Sequence, residues 1–257
     1  MAQPDTGARE RGDRGEHGLG LQATVPGGPP KGAGTGPAGH PVPADGEGVA
    51  AGPPDAASHC QPALPPGQYV PRTLPVLHYG PIPVFHHEAW DLRIFGETAS
   101  GAEARLRWDD IAAMPVSEIT ADFHCVTKFT VPGMHWQGVL ASDVLRRFPP
   151  AAAVTHVMIW ADFGYSANIR ISDFAAELTM LATHCDGERL TPEHGYPLRL
   201  VVPHLYAWKS VKWIRALEYL TADRRGFWEE RGYHNTADPW REQRYSYQEM
   251  AGEGPPL

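Results

Sequence analysis

The hydrophobic pattern begins late in this chain. From about position 67 onward, apolar and polar residues recur with periods that predict structure; before that they do not. Leu92–Phe95 and Leu106–Trp108 alternate and read as two strands, joined by a turn across Gly96–Gly101. Asp109 or Asp110 is placed to cap a short helix running to Met114. Residues 118–126 read as a strand leading into a loop at Cys125, and Ser142 as the cap of a helix over Asp143–Phe148, ended by Pro149-Pro150. Val154–Trp160 is a mostly apolar run, continuous from Val157, suited to a buried strand, and Asn168–Ile171 alternates as another. Ser172 then caps a helix near Asp173–Ala182. Leu198–Val202 and Val211–Leu220 are expected strands flanking a loop. Val70–Val84 is expected to be extended loop, and beyond Arg224 no period is visible. Strands and short helices mix without regular βαβ alternation, which predicts an α+β fold.

Composition changes the picture at the N-terminus. Residues 1–66 hold about half of the chain's 27 Gly and 26 Pro and have no Phe, Trp or Tyr. Such a segment buries too little apolar surface to offset the entropy of ordering. We expect residues 1–66 to be disordered and 67–250 to form one domain within the 257-residue chain. The net charge of −8 is spread out, with no basic stripe to suggest nucleic acid. No apolar run approaches the roughly 20 residues of a membrane span. Arg9, Arg11 and Arg14 are followed by no apolar stretch, so no secretory signal is expected and the cytoplasm is the expected location.

The candidate chemistry starts with sulfur. Cys60, Cys125 and Cys185 are an odd count and predict no disulfide framework. Cys125 lies in Ala121-Asp122-Phe123-His124-Cys125-Val126-Thr127-Lys128. By itself it reads as a buried inert thiol, or as a nucleophile paired with His124 or a distant histidine. Farther on come His194-Gly195-Tyr196-Pro197-Leu198-Arg199-Leu200 and Trp208-Lys209-Ser210-Val211-Lys212-Trp213, which bring Arg199, Lys209 and Lys212. Charges set among apolar neighbours are usually paired, either with an internal carboxylate such as Glu193 or with a bound phosphate. A thiolate suits a soft or redox-active metal. Thiolate and cations together suggest a metal carried on a phosphorylated organic cofactor. No Cys-x-x-Cys, His-Glu-x-x-His or Walker sequence competes with this reading, and the Gly-x-Gly-x-x-Gly match at Gly34–Gly39 lies in the Gly/Pro-rich segment with no apolar strand before it, so it supports no nicotinamide fold.

These segments occur in a recognisable order. Leu77-His78-Tyr79-Gly80-Pro81-Ile82-Pro83 is followed by Trp90-Asp91-Leu92-Arg93-Ile94, the Cys125 segment, Trp136-Gln137-Gly138-Val139, the His194–Lys212 block, and Gly232-Tyr233-His234 with Asp238-Pro239-Trp240. From about Val76 to Tyr245 the chain resembles the sulfite oxidase family of molybdopterin-dependent oxidoreductases, in its compact bacterial branch. The resemblance implies a mixed-sheet molybdopterin-binding fold and a molybdenum–molybdopterin cofactor. It implies Cys125 as the metal ligand and Asp162, His194, Arg199, Ser210 and Lys212 as pterin contacts. It also implies Tyr233 as the active-site tyrosine.

The departures are informative too. Leu77 stands where sulfite oxidases present a substrate arginine, and no arginine closely follows Cys125. The expected substrate is therefore a small oxyanion, sulfoxide or N-oxide, less anionic than sulfite itself. With no haem domain expected in this chain, electrons would pass to or from a separate carrier. A different class of function, a molybdopterin-binding carrier or interaction module without turnover, stands beside this one.

Overall fold

A computed structural model describes residues 63–256. The expected disordered segment lies outside the described residues except for its last four positions, and Cys60 lies outside them as well. Ten strands and three short helices are present among the described residues. Two five-stranded sheets carry the fold.

The first sheet has the order β2-β1-β10-β5-β6, formed by β1 (Asp91–Gly96), β2 (Ala104–Arg107), β5 (His156–Ala161), β6 (Ser166–Arg170) and β10 (Ile214–Leu220). The alternation seen in the sequence is the burial pattern of β1, in which Leu92 and Ile94 are fully buried. β1 and β10 run parallel while the other pairs in this sheet are antiparallel, so the sheet is mixed. The second sheet is antiparallel, with β3 (Ser117–His124), β4 (Thr130–Leu140), β7 (Met180–Cys185) and β8 (Glu188–Arg189) in order; β9 (Arg199–Val201) pairs with Met180–Ala182 of β7 on the edge away from β4, beside β8. The main core joins Leu92, Ile94, Val157, Ile159, Leu200 and Leu217, and a second cluster joins Phe123, Cys125, Trp136, Met180 and Val201. Burying one such aliphatic side chain stabilises the fold by about 1.5–3 kcal/mol.

Several sequence expectations shift. α1 (Trp108–Ala112) begins after Arg107, with Asp110 bonding back to the Arg107 N–H rather than serving as the cap itself. α2 (Ala141–Arg147) is preceded by Leu140, so Ser142 lies inside it. The helix expected near Asp173–Ala182 is only one turn, α3 (Ile171–Phe174), and Met180–Ala182 belong to β7. There the ladders to β4 and β9 satisfy the backbone and bury Met180 and Leu181, which outweighs their helical propensity. The strand expected from Val211 begins only at Ile214, because Trp213 takes a left-handed conformation (φ 55°). No helix among the described residues is long and apolar enough to cross a membrane.

Candidate functional site

Cys125 directly follows β3 and opens a tight turn into β4. Its N–H donates to the Phe129 carbonyl at 2.8 Å, and the Lys128 N–H donates to its carbonyl at 3.0 Å. Lys128 has φ 76°, which turns its exposed side chain outward. The thiol is 8 % exposed and accepts a hydrogen bond from the Thr127 hydroxyl at 3.2 Å. Burial raises the thiol's pKa, while Thr127 and the Arg244 guanidinium pull it back. His124 does not pair with the sulfur: its Nδ1 lies 2.9 Å from the Thr130 hydroxyl, which removes the local Cys–His nucleophile.

The cations converge from β9 and the loop before β10. Arg199 is 1 % exposed, and its guanidinium donates to the carbonyls of His194 (3.1 Å), Ser210 (3.2 Å) and Leu200 (3.4 Å). It also lies 5.0 Å over the Phe123 ring and 5.2 Å over Trp136. Lys212 donates to the carbonyls of Leu77 (2.8 Å) and Glu193 (2.6 Å). Gly195 makes the convergence possible: with φ 109°, any Cβ there would sit 3.0 Å from Arg199 Cβ and 3.2 Å from Lys212 Cβ. Burial brings Arg199 down to about 10. Burial and then the Arg199 charge bring Lys212 to about 7. Burial, Lys212 and Arg199 in turn lower His194. Among the described residues neither Arg199 nor Lys212 forms an ion pair with a carboxylate. Glu193 offers Lys212 its carbonyl, so the internal-carboxylate alternative is not what these cations found.

The thiol and this cluster are neighbours in the fold: the Arg199 guanidinium lies over Phe123, two residues before Cys125, and the Ala207 N–H donates to the His124 carbonyl at 2.7 Å. The Tyr165 hydroxyl, from the turn before β6, donates to the Trp208 carbonyl at 2.6 Å in the same neighbourhood. Tyr233 is half-buried, packed edge-on to Trp208 at 5.2 Å and tilted on Trp228 at 5.1 Å. Its hydroxyl has no hydrogen-bond partner among the described residues. Ser210 is buried, its hydroxyl accepting the Val202 N–H at 3.0 Å.

Two residues stand apart from the expected grouping. The Asp162 carboxylate pairs with Arg215 at 3.2 Å and lines a recess of ≈ 400 Å³ with Asp91, Arg93 and Phe163. Only its backbone approaches the cluster, through a 3.1 Å bond to the Trp213 carbonyl. Lys209, grouped with the cations in the sequence, is fully buried and paired with Glu229. Neither that recess nor another of ≈ 500 Å³ around Trp160, Arg224 and Phe227 is lined by Cys125. Sequence reasoning missed Tyr165 and Arg244. Arg244 comes from the aperiodic C-terminal stretch, donates to the Val126 carbonyl and lies 4.9 Å over the Tyr206 ring. Nothing in the local sequence marks either residue.

A single thiol cannot chelate a metal, and no group of three His, Cys, Asp or Glu that could hold one gathers among the described residues. A metal at Cys125 must bring most of its own ligands. Cations that rest on carbonyls with no carboxylate partner suit a bound anion. A metal on an anionic organic carrier satisfies both demands, so the donor set fits a molybdenum–molybdopterin group.

The family described as oxidoreductase molybdopterin binding domain matches residues 79–228. An uncharacterized oxidoreductase, YuiH, from Bacillus subtilis is 40 % identical over 72 % of this chain and 92 % of its own. The catalytic subunit MsrP of a protein-methionine-sulfoxide reductase from Campylobacter jejuni is 25 % identical over 60 % of this chain and 59 % of its own. The crystal structure of the sulfane dehydrogenase SoxCD from Paracoccus pantotrophus shares the fold, with a TM-score of 0.51 and 20 % identity over 62 % of this chain and 46 % of that one. The α+β mixed-sheet expectation agrees with that fold, and the chain belongs to the oxidoreductase molybdopterin binding domain family, the sulfite oxidase-like molybdopterin oxidoreductases.

Proposed function

We propose that this chain is a molybdenum-dependent oxidoreductase that transfers one oxygen atom, with two electrons, to or from a small sulfur or nitrogen oxide. The observation that carries the reading is the buried Cys125 thiol in one neighbourhood with buried Arg199 and half-buried Lys212, cations that have no carboxylate partner among the described residues. Cys125 would be the protein's ligand to the metal. Arg199, Lys212 and His194 would hold the anionic end of the pterin, with Ser210 keeping a hydroxyl proton to donate. Asp162 would join them only by releasing Arg215.

When bound, the molybdenum–molybdopterin supplies a two-electron centre that exchanges an oxygen atom with substrate. The chain's own residues supply the rest. Arg199 and Lys212 neutralise and orient the anion. The buried wall of Phe123, Phe129 and Trp136 around Cys125 excludes water. Tyr233 keeps its proton, because burial raises its pKa, and can donate to a substrate oxygen. Leu77 uses its carbonyl on Lys212 and offers no charge to substrate. This supports a sulfoxide or N-oxide over sulfite, as does the activity named for the MsrP relative. Electrons would pass to or from a separate carrier.

Metal and pterin analysis of the purified chain is the direct test. Stoichiometric molybdenum, lost in Cys125→Ser, is expected, together with dye-linked turnover on a panel of sulfoxides and N-oxides. A metal-free chain from a molybdenum-replete host would sink the reading. Metal without turnover on the panel would favour a carrier.

A further inference from the structure

Residues 206–210 form a short loop between the thiol and the cations, and it is pinned at every position. At its start, the Ala207 N–H donates to the His124 carbonyl at 2.7 Å, next to Cys125. At its end, the Ser210 carbonyl accepts from Arg199 at 3.2 Å. In the middle, the Trp208 indole donates to Glu229 at 2.8 Å. Lys209 pairs with the same carboxylate and donates to the Asn168 carbonyl at 2.7 Å. The Tyr165 hydroxyl donates to the Trp208 carbonyl at 2.6 Å. The Trp208 ring in turn supports Tyr233 edge-on and stacks on Tyr206 at 5.4 Å.

Lys209 and Glu229 are both fully buried. Such a pair adds little net stability over well-packed apolar side chains, and its best-attested use is to specify one arrangement. Tyr165 reaches the loop because Phe163 and Gly164 both adopt left-handed backbone (φ 61° and 77°), reversing the chain just before it.

Resting on the function proposed above, we infer that Tyr165 and Glu229 are positioning residues. They clamp the 206–210 loop so that Cys125, Arg199 and Tyr233 keep one fixed spacing. Neither acts on substrate directly: Glu229 is sealed in the interior, and the Tyr165 proton is committed to a backbone carbonyl.

The test uses the full chain carrying Tyr165→Phe, which keeps the ring, and Glu229→Gln, which keeps an acceptor for Trp208. In metal-free protein, iodoacetamide alkylation of Cys125 is timed by mass spectrometry against Cys185 in the same molecule. The clamp predicts that Tyr165→Phe speeds Cys125 relative to Cys185 by about threefold or more, through local opening. In the metal-loaded protein it predicts a shifted thiolate-to-metal absorption band. It also predicts kcat lower by about tenfold, with KM within about twofold and metal content unchanged. An unchanged alkylation ratio overturns the inference. Should Glu229→Gln fail to fold, Tyr165→Phe decides alone. Should wild type bind no molybdenum, the proposed function fails while the alkylation ratio still decides the clamp.

Discussion

Replacing Arg199 by Met separates two roles for a buried guanidinium, structural charge and anion receptor. Its charge rests on three carbonyls and two aromatic faces. Burial holds its pKa at about 10, well below the ordinary arginine value, which corresponds to roughly 3 kcal/mol of unfavourable charge burial. Arg199→Met removes that cost. It also strips three carbonyls of a donor, at about 1 kcal/mol each, and a cation–π contribution of about 1 kcal/mol. The two sides nearly cancel. The metal-free variant should therefore melt within about 4 °C of wild type, since 1 kcal/mol moves a domain of this size by about 2–4 °C. Anion binding has no such cancellation. Two charge-assisted bonds worth about 1.5–3 kcal/mol each correspond to an affinity loss of about 10²- to 10⁴-fold. The assay is molybdenum and pterin per chain after gel filtration, beside calorimetry of the metal-free protein. Arg199→Lys, keeping charge without the fork, should retain an intermediate amount. Full cofactor content in Arg199→Met, with a metal-free melting point lower by about 10 °C or more, would refute the reasoning and make Arg199 a structural charge.

Other expectations follow from the same geometry. Lys212, held at about 7, sheds its proton in the folded chain well before the unfolded chain does. The unfolded state then binds more protons above about pH 7, so metal-free stability should rise from about pH 7 to 9, as read by melting point, and Lys212→Met should flatten that rise. Over the same range, wild type should bind inorganic phosphate or the pterin more weakly as the ammonium is lost. Tyr233→Phe should lower kcat by about 10²-fold or more with metal content and melting point unchanged. Lys209→Met strands the Glu229 carboxylate and should cost about 3–5 kcal/mol in urea unfolding, most of it recovered in Lys209→Met/Glu229→Leu.

The sequence was informative where local pattern and environment agree. β1 and β10 read correctly because their alternating or continuous apolar residues face a core that the same residues build. β4 carried no such signal: Pro132 and Gly133 interrupt it, and its alternation of buried Met134 and Trp136 with exposed residues begins only after them. β7 was hidden among residues of good helical propensity, and only its two neighbouring strands settle its state. The site divides the same way. Cys125, His194, Arg199 and Lys212 lie in short segments whose charges are conspicuous against apolar neighbours. Lys209 is equally conspicuous, but its partner Glu229 is supplied by tertiary structure. Tyr165 and Arg244 come from distant stretches, so no spacing rule reaches them.

Topology brings the thiol and the cations into one neighbourhood. Cys125 directly follows β3 and Arg199 begins β9, both strands of the second sheet, whereas Lys212 sits just before β10 in the first. The chain from β9 to β10 is thus the crossing between sheets. It is stitched at both ends, by Leu200 N–H to the Val211 carbonyl at 2.7 Å and Ile214 N–H to the Leu198 carbonyl at 3.1 Å. Arg199 binds one carbonyl before β9, at His194, and one within this crossing, at Ser210. Its guanidinium is therefore held by carbonyls of the segments that lead into and make up the crossing. An anion arriving there meets a charge already buried and oriented, so little ordering remains to oppose binding. The cost of holding that charge uncompensated falls on the metal-free fold. Anion binding should accordingly raise the melting temperature of wild type, and raise it far less in Arg199→Met.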